Sequence, residues 1–189
     1  NRFLANIREA DAIVFVLRAF ADDDVPGPAD PLEHLRIVET EIALADLESV
    51  ENQIDKRRKA AKADRTLADE VAALERAHAA LAEGTPVYRS DLTDDERELL
   101  RPWFLLTNKP VLAVVNVAED DLERIDEVCA PVVDELGGHG EVIGMCVQLE
   151  AEAATITDPA ERAEMLEGFG LGEGALFRMV RSAYHLLGL

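Results

Sequence analysis

The chain has 189 residues and a formal net charge of -20 at pH 7, and this length suits one domain, or one domain with an insertion. The negative charge opposes non-specific attraction to nucleic-acid phosphates, although it leaves room for a local basic patch. No apolar run approaches membrane-spanning length, and two cysteines are too few for a disulfide framework. Composition therefore indicates a folded cytoplasmic protein, with no membrane partner and no sequence-specific DNA partner.

The first part of the chain predicts a short helix over residues 2–9, followed by a strand over residues 11–20. The continuous apolar run over residues 13–17 predicts that this strand has a buried core. After a loop broken by proline and glycine, Asp30 and Pro31 mark the start of a helix. Asp is a good N-cap, and Pro fits the first helical position because its missing N–H is not needed there.

Two helices dominate the middle of the chain, over residues 31–62 and 65–83, and the first would be roughly 45 Å long. The apolar side of the first is predicted to contain Leu35, Ile37, Leu44, Leu47, Val50 and Ile54. The second has a seam at heptad spacing, formed by Leu67, Val71, Leu74, His78 and Leu81. This spacing predicts that the two helices form an antiparallel coiled-coil hairpin.

The predicted tip of this hairpin carries a basic cluster within an otherwise acidic chain. Its members are Lys56, Arg57, Arg58, Lys59, Lys62 and Arg65. One interpretation is a contact site for a polyanion, which such a cluster would attract. The alternative is a solvated tip whose cations pair with nearby acids on the same helices. The sequence leaves both interpretations open.

The second half of the chain alternates helices and strands. Thr93 and Glu96 have the spacing of a capping box and predict another helix. Residues 111–115 form an unbroken apolar run that predicts a strand buried on both faces. The remaining predicted elements are a helix over 122–136 that Pro131 kinks or ends early, a third strand over 141–147, and helices over 149–156, 158–169 and 174–187.

Strands that alternate with helices indicate an α/β fold with a parallel sheet and helical crossovers. Three strands are few for such a domain, and the chain begins at Asn1 rather than at Met. We therefore expect that the chain is a fragment whose missing strands precede residue 1.

Asn116 ends the strand predicted over residues 111–115, and Glu119 follows three residues later. Parallel strands present their ligand-binding loops at their carboxyl ends, and an amide with a carboxylate can read the edge of a nucleobase. GTPases hold guanine with the similar pattern Asn-Lys-x-Asp. The alternative is an ordinary strand followed by a helix that Asp120 or Asp121 caps.

Six stretches carry a resemblance to one family: NRFLANIRE at 1–9, DAIVFVLRAF at 11–20, EIALADLESV at 41–50, LTNKP at 106–110, NVAE at 116–119 and YHLLGL at 184–189. Together they make the chain similar to the YchF family of Obg-like ATPases, a branch of the P-loop NTPases. The stretches follow in the family's order and span the whole chain. One departure falls at His34, where the family has an aspartate.

The resemblance implies a base-recognition role for six residues, namely Phe20, Asn116, Val117, Glu119, Cys146 and Val147. Asn116 would bond the purine edge, Val117 would replace the aliphatic stem of the GTPase lysine, and Phe20 would pack on adenine. Cys146 and Val147 would end the third strand and offer backbone N–H groups. Glu119 is one methylene longer than the guanine-binding aspartate, so we expect ATP to be preferred over GTP.

The resemblance also implies what the chain lacks. No G-x-x-x-x-G-K-[ST] motif occurs, so the phosphate-binding loop and the Mg²⁺ ligands are expected upstream, and a small TGS domain downstream. We expect residues 1–30 and 86–189 to be part of the nucleotide-binding domain and residues 31–85 to be the coiled-coil insertion. The parent would be a ribosome-associated ATPase, and the isolated fragment would be inactive. The alternative is a non-catalytic hairpin that binds an RNA-rich partner.

No other constellation in the chain points to chemistry. The four histidines are scattered without metal-ligand spacing, and no residues in this chain are predicted to be catalytic. Cys129 and Cys146 could be redox-sensitive thiols, but both have apolar neighbours, which favours buried structural cysteines.

Overall fold

A computed structural model describes residues 7–22 and 26–189. The helix predicted over 2–9 therefore lies mostly outside the described residues. Two compact units are present: one contains residues 7–13 and 36–110, and the other contains residues 14–22, 26–35 and 111–189. Residues 86–110 fall in the same compact unit as most of the helical pair.

Among the described residues, three strands form one sheet in the order β1-β2-β3, with β1 at Ile13–Arg18, β2 at Val111–Asn116 and β3 at Glu141–Met145. β2 and β3 pair in parallel from Leu112 opposite Glu141 to Asn116 opposite Met145. Beside β2, the N–H of Ile13 bonds to the carbonyl of Pro110 and that of Ala19 to the carbonyl of Asn116, each at 2.9 Å. From the first bond to the second, both chain segments advance by six residues in the same direction, as they do in a parallel pair of strands. The predicted parallel α/β sheet is confirmed.

Seven α-helices have described bounds: α1 Pro31–Ala63, α2 Ala68–Ala82, α3 Asp94–Leu99, α4 Ile125–Leu136, α5 Val147–Thr155, α6 Pro159–Gly168 and α7 Ala175–Leu186. The predicted capping box of α3 is confirmed, since the N–H of Glu96 bonds to Thr93 and the Glu96 carboxylate bonds back to the Thr93 N–H. α4 begins later than predicted, after a 3₁₀ segment at Glu119–Arg124, and it continues through Pro131.

β2 is buried on both faces, as predicted, because helices of the same unit cover it. Leu112 and Val114 pack with Ala175 and Met179 of α7. On the other face, α4 approaches so closely that a Cβ added at Gly144 would stand 2.8 Å from the sulfur of Cys129. Glycine at position 144 is therefore required by packing rather than by backbone conformation.

The prediction of a buried core along β1 is wrong for alternate residues. Ile13, Phe15 and Leu17 are buried, but Val14 and Val16 are exposed. An apolar run over five residues cannot distinguish a strand covered on both faces from one covered on a single face. Packing in the tertiary structure decides this point.

The antiparallel arrangement of α1 and α2 is visible in their side-chain pairs. Arg57 of α1 pairs with Glu70 of α2. Glu51, which precedes Arg57 on α1, has its Oε1 3.4 Å from Nε2 of His78, which follows Glu70 on α2, so the two helices run in opposite directions. The helical pair also packs on a third layer, since Leu92, Leu100 and Leu105 belong to the same buried cluster. The predicted seam is only partly buried, and the small residues Ala73 and Ala77 lie in the core beside Leu74 and Leu81. The coiled coil itself stays a prediction.

The predicted apolar side of α1 is wrong at two positions, because Ile37 is 43% exposed and Leu44 is 59% exposed. The acids Glu39 and Asp46 are buried instead. Buried carboxylates are tolerated only where donors satisfy them. Tyr88 donates to Glu39 at 2.6 Å, and backbone N–H groups donate to Asp46. The hydrophobic pattern could not show these polar partners.

Candidate functional site

The carboxyl ends of the three strands meet at one edge of the sheet. The N–H of Ala19, just after β1, bonds to the carbonyl of Asn116, and the N–H of Val117, just after β2, bonds to the carbonyl of Met145. Both N–H-to-carbonyl bonds measure 2.9 Å. These bonds continue the sheet beyond its last strand residues, so the segments that carry the predicted base-binding residues lie side by side.

The Asn116 side chain is held by one defined contact. Its Oδ1 accepts a hydrogen bond of 3.0 Å from the N–H of Val147, the first residue of α5. An amide oxygen has two lone pairs and the amide nitrogen two donors. Among the described residues, nothing else bonds to this side chain. The contact therefore orients Asn116 and leaves its NH₂ group for a ligand.

Glu119 and Phe20 lie on the segments that follow β2 and β1. Glu119 is exposed at the start of the 3₁₀ segment, and the described part of the chain contains no ion pair or hydrogen bond to its carboxylate. Phe20 is half-buried, two residues after the end of β1. Each side chain retains surface that a ligand could contact.

The side chains of Val117 and Cys146 offer almost no surface, with 1% and 3% exposed. These values include the backbone, and the N–H of Val117 already bonds to Met145, so neither residue presents an accessible group to a ligand in this conformation. Val147 is exposed. The sequence predicted that it ends β3, but in the structure it is the first residue of α5. Its N–H, which was expected to face the base, is used by Asn116. β3 ends earlier because helical backbone begins directly after Cys146.

Sequence reasoning missed Gln148 as a candidate. The first N–H groups of a helix have no partner within the helix. The N-cap residue Cys146 provides no side-chain acceptor for them, and Gln148 is exposed in this first turn. A strand predicted to end at Met145, followed directly by a helix, would have indicated a free N–H group at Gln148. The predicted strand instead continued to Val147.

The six cations of the predicted tip divide into two groups. Arg57 bonds to both carboxylate oxygens of Glu70 at 2.7 Å, and Arg58 bonds to Glu75 at 2.8 Å. The Arg57 guanidinium holds the pKa of the Glu70 carboxyl below its usual value, aided by the Trp103 indole that donates to it at 3.0 Å. The others are exposed, with no ion pair to another described residue: Lys56, Lys59, Lys62 and Arg65.

The remaining candidates have structural explanations. Cys129 is buried, and burial raises the pKa of its thiol, which opposes a reactive thiolate. Within residues 7–22 and 26–189, no group of three or more His, Cys, Asp or Glu side chains is arranged to hold a metal ion. In the same residues, no helix is both long and apolar enough to cross a membrane.

The fold defines this chain as an α/β protein whose parallel sheet carries candidate ligand groups at its carboxyl edge. The comparisons with known proteins refine this class. The chain is 35% identical to the ribosome-binding ATPase YchF of Bacillus subtilis and 36% identical to that of Haemophilus ducreyi. Each match covers 100% of this chain and 53% of the relative. No protein-family model matches.

A solved structure agrees with these sequence matches. The chain superimposes on the YchF GTPase of Schizosaccharomyces pombe with a TM-score of 0.82 at 28% identity, covering 99% of this chain and 53% of that one. The resemblance to the YchF family is therefore confirmed over the whole of this chain. The chain spans about half the length of the relatives that it matches.

Proposed function

We propose that this chain is the base-recognition part of a YchF-type protein that binds and hydrolyses ATP. The observation that carries the proposal is the Asn116 side chain, which lies at the carboxyl edge of the sheet with its Oδ1 held by Val147 and its NH₂ group available. A relative named for ATPase activity matches this chain over 100% of the chain and 53% of the relative.

The donor set fits adenine. The edge of adenine presents N7 as an acceptor and N6 as a donor, and an asparagine side chain can bond to both. In the proposed complex, the NH₂ of Asn116 donates to the base, and the second lone pair of its Oδ1 accepts. Phe20 packs on one face of the base. Val117 and Cys146 are buried and act indirectly through packing, and the backbone N–H of Gln148 supplies a further donor.

Phosphoryl transfer needs amides that cradle the phosphates, a lysine and Mg²⁺. The chain has no G-x-x-x-x-G-K-[ST] motif that would supply them. In this proposal, the phosphate loop and the Mg²⁺ ligands belong to another part of the full-length protein, and the chain alone does not hydrolyse ATP. The division into a nucleotide-binding part at 1–30 and 86–189 and an insertion at 31–85 stays a prediction.

A preference for ATP over GTP follows from Glu119. Guanine has donors at N1 and N2 that need an aligned carboxylate, and the extra methylene of Glu moves its carboxylate away from the position that Asp would give. The relatives differ in the names they carry, since one is an ATPase and another a GTPase. Relative affinity for the two nucleotides is therefore the measurement that tests the proposal.

We expect the full-length protein to bind ATP at least about tenfold more tightly than GTP, because a missing charge-assisted bond costs roughly 1.5–3 kcal/mol. Isothermal titration with both nucleotides measures this ratio. Glu119→Asp is the matched variant, and it should move the ratio towards GTP. Tighter binding of GTP than of ATP by the unmodified protein would overturn the preference.

A second function is favoured by the exposed cations of the helical tip. We propose that Lys56, Lys59, Lys62 and Arg65 dock on the RNA phosphates of the ribosome in the cytoplasm. Support comes from the absence of ion pairs at these four residues in the described structure and from relatives named for ribosome binding. Arg57 and Arg58 hold the two helices together in this proposal and contribute less to docking.

Reversing the charge of Lys56, Lys59, Lys62 and Arg65 to Glu should abolish co-sedimentation with ribosomes and leave ATP turnover unchanged. Each cation that no longer neutralises a phosphate should reduce the slope of log affinity against log salt by about 0.7 to 0.9. Charge reversal at Arg101 and Arg124, which lie away from the tip in sequence, is the control. Unchanged sedimentation of the fourfold variant would remove the docking role.

A further inference from the structure

The end of β1 is held from both sides by hydrogen bonds. On one side, the N–H of Ala19 donates to the carbonyl of Asn116 at 2.9 Å. On the other, the N–H of Arg18 donates to Nδ1 of His34 at 3.2 Å. Arg18 is only 8% exposed, and its guanidinium donates to the carbonyl oxygens of Gly27 at 2.6 Å and Pro28 at 3.2 Å. Phe20 is the second residue beyond this anchored point.

His34 itself is placed by the first turn of α1. The Asp30 side chain accepts from the N–H of Glu33 at 2.9 Å, and the Asp30 carbonyl accepts from the N–H of His34 at 3.0 Å. These bonds form the N-terminal cap of the helix and direct the imidazole from a fixed backbone position. The contact with Arg18 therefore connects the start of α1 to the end of β1.

A backbone N–H can donate to Nδ1 only when that nitrogen carries no proton. Protonated imidazole has N–H donors at both positions and no acceptor. Histidine is the side chain whose charge ordinarily changes between about pH 5 and 8. A proton on Nδ1 would place two donors against each other and add a positive charge near the Arg18 side chain.

We infer that His34 is a positioning residue, which in its neutral form holds the segment from Arg18 to Phe20 in place for the base of the nucleotide. Acidification then weakens nucleotide binding, because it removes the acceptor for the Arg18 N–H. Charged residues near this contact in the described sequence are Arg18 on β1, Asp22 just after it, and Asp30, Glu33 and Arg36 at the start of α1. The inference rests on the proposed role of Phe20 in base binding.

Three substitutions at position 34 separate this role from a general effect on folding. His34→Asn places an amide oxygen where Nδ1 lies and has no proton to gain near neutral pH. His34→Gln carries the same amide one bond further from the backbone, where it cannot take the place of Nδ1. His34→Ala removes the acceptor. Asn and Gln are thus matched in chemistry and differ only in reach.

At about pH 7.5, His34→Asn should bind ATP as the unmodified full-length protein does, whereas the Gln and Ala variants should bind about three- to tenfold more weakly. As the pH is lowered and His34 becomes protonated, the unmodified protein should lose affinity relative to His34→Asn. Equal pH dependence of these two proteins would overturn the inference, as would unchanged affinity in both the Gln and the Ala variants.

Nuclear magnetic resonance of the amides of Arg18 and Phe20 provides a readout that does not need a nucleotide. Both signals should shift with the protonation of His34 in the unmodified protein and stay constant in His34→Asn. If no variant binds nucleotide but the amides shift together with the imidazole, the proposed function fails and the positioning contact stands. Amides that do not respond to His34 would overturn the contact itself.

Discussion

Replacing Asn116 with alanine should weaken ATP binding by the full-length protein about 30- to 100-fold. The substitution removes both proposed hydrogen bonds to the base, and it also removes the acceptor that holds the first N–H of α5 at 3.0 Å. Two hydrogen bonds to the base at about 1–1.4 kcal/mol each give a loss of this size. Isothermal titration measures the affinity, and thermal unfolding without nucleotide shows whether the fold is preserved.

Asn116→Asp is the control that separates the two contributions. Its carboxylate can still accept from Val147, but it cannot donate to the base, so the backbone geometry should be preserved while most of the affinity is lost. If both variants bind ATP within about twofold of the unmodified protein, Asn116 does not recognise the base, and the proposed function loses its main support.

Replacing Asp46 with alanine should destabilise the protein by about 3–5 kcal/mol, the usual cost of removing one partner of a buried ion pair. The Asp46 side chain is fully buried, and it accepts from the N–H groups of Leu106 and Thr107 at 3.1 and 2.7 Å. It also accepts from Arg8 at 2.8 Å. Without the carboxylate, the buried N–H groups of Leu106 and Thr107 lose their acceptor, and Arg8 keeps only its bonds to the carbonyls of Ala45 and Phe104.

Urea denaturation of the unmodified chain and the Asp46→Ala variant measures this difference. Asp46→Asn keeps the shape and one acceptor oxygen, so its loss should be smaller than that of the alanine variant. Glu48→Ala, at an exposed position two residues further along α1, should change stability by less than about 0.5 kcal/mol. A loss below about 1 kcal/mol in Asp46→Ala would show that water or a local rearrangement satisfies the donors.

The sequence by itself determined which segments become helices and strands, although not every boundary, because the segments have local signals. The apolar run after Pro110 predicted β2, and the Asp30–Pro31 pair predicted the start of α1. Thr93 and Glu96 predicted the start of α3. It also led to the family, since motifs spread along the chain kept their order. Such signals come from residues a few positions apart, so no tertiary information is needed to recognise them.

The tertiary structure alone decided which faces are covered and which polar groups meet. Burial of Asp46 depends on donors that are 60 residues away, and exposure of Val16 depends on what packs against β1. Because β3 ends at Met145, the N–H of Val147 is available to donate to the Asn116 side chain. The hydrogen bond from the Arg18 N–H to His34 likewise connects the end of a strand to the start of a helix. Contacts between distant residues arise only when the chain folds, so hydrophobic periodicity along the sequence cannot contain them.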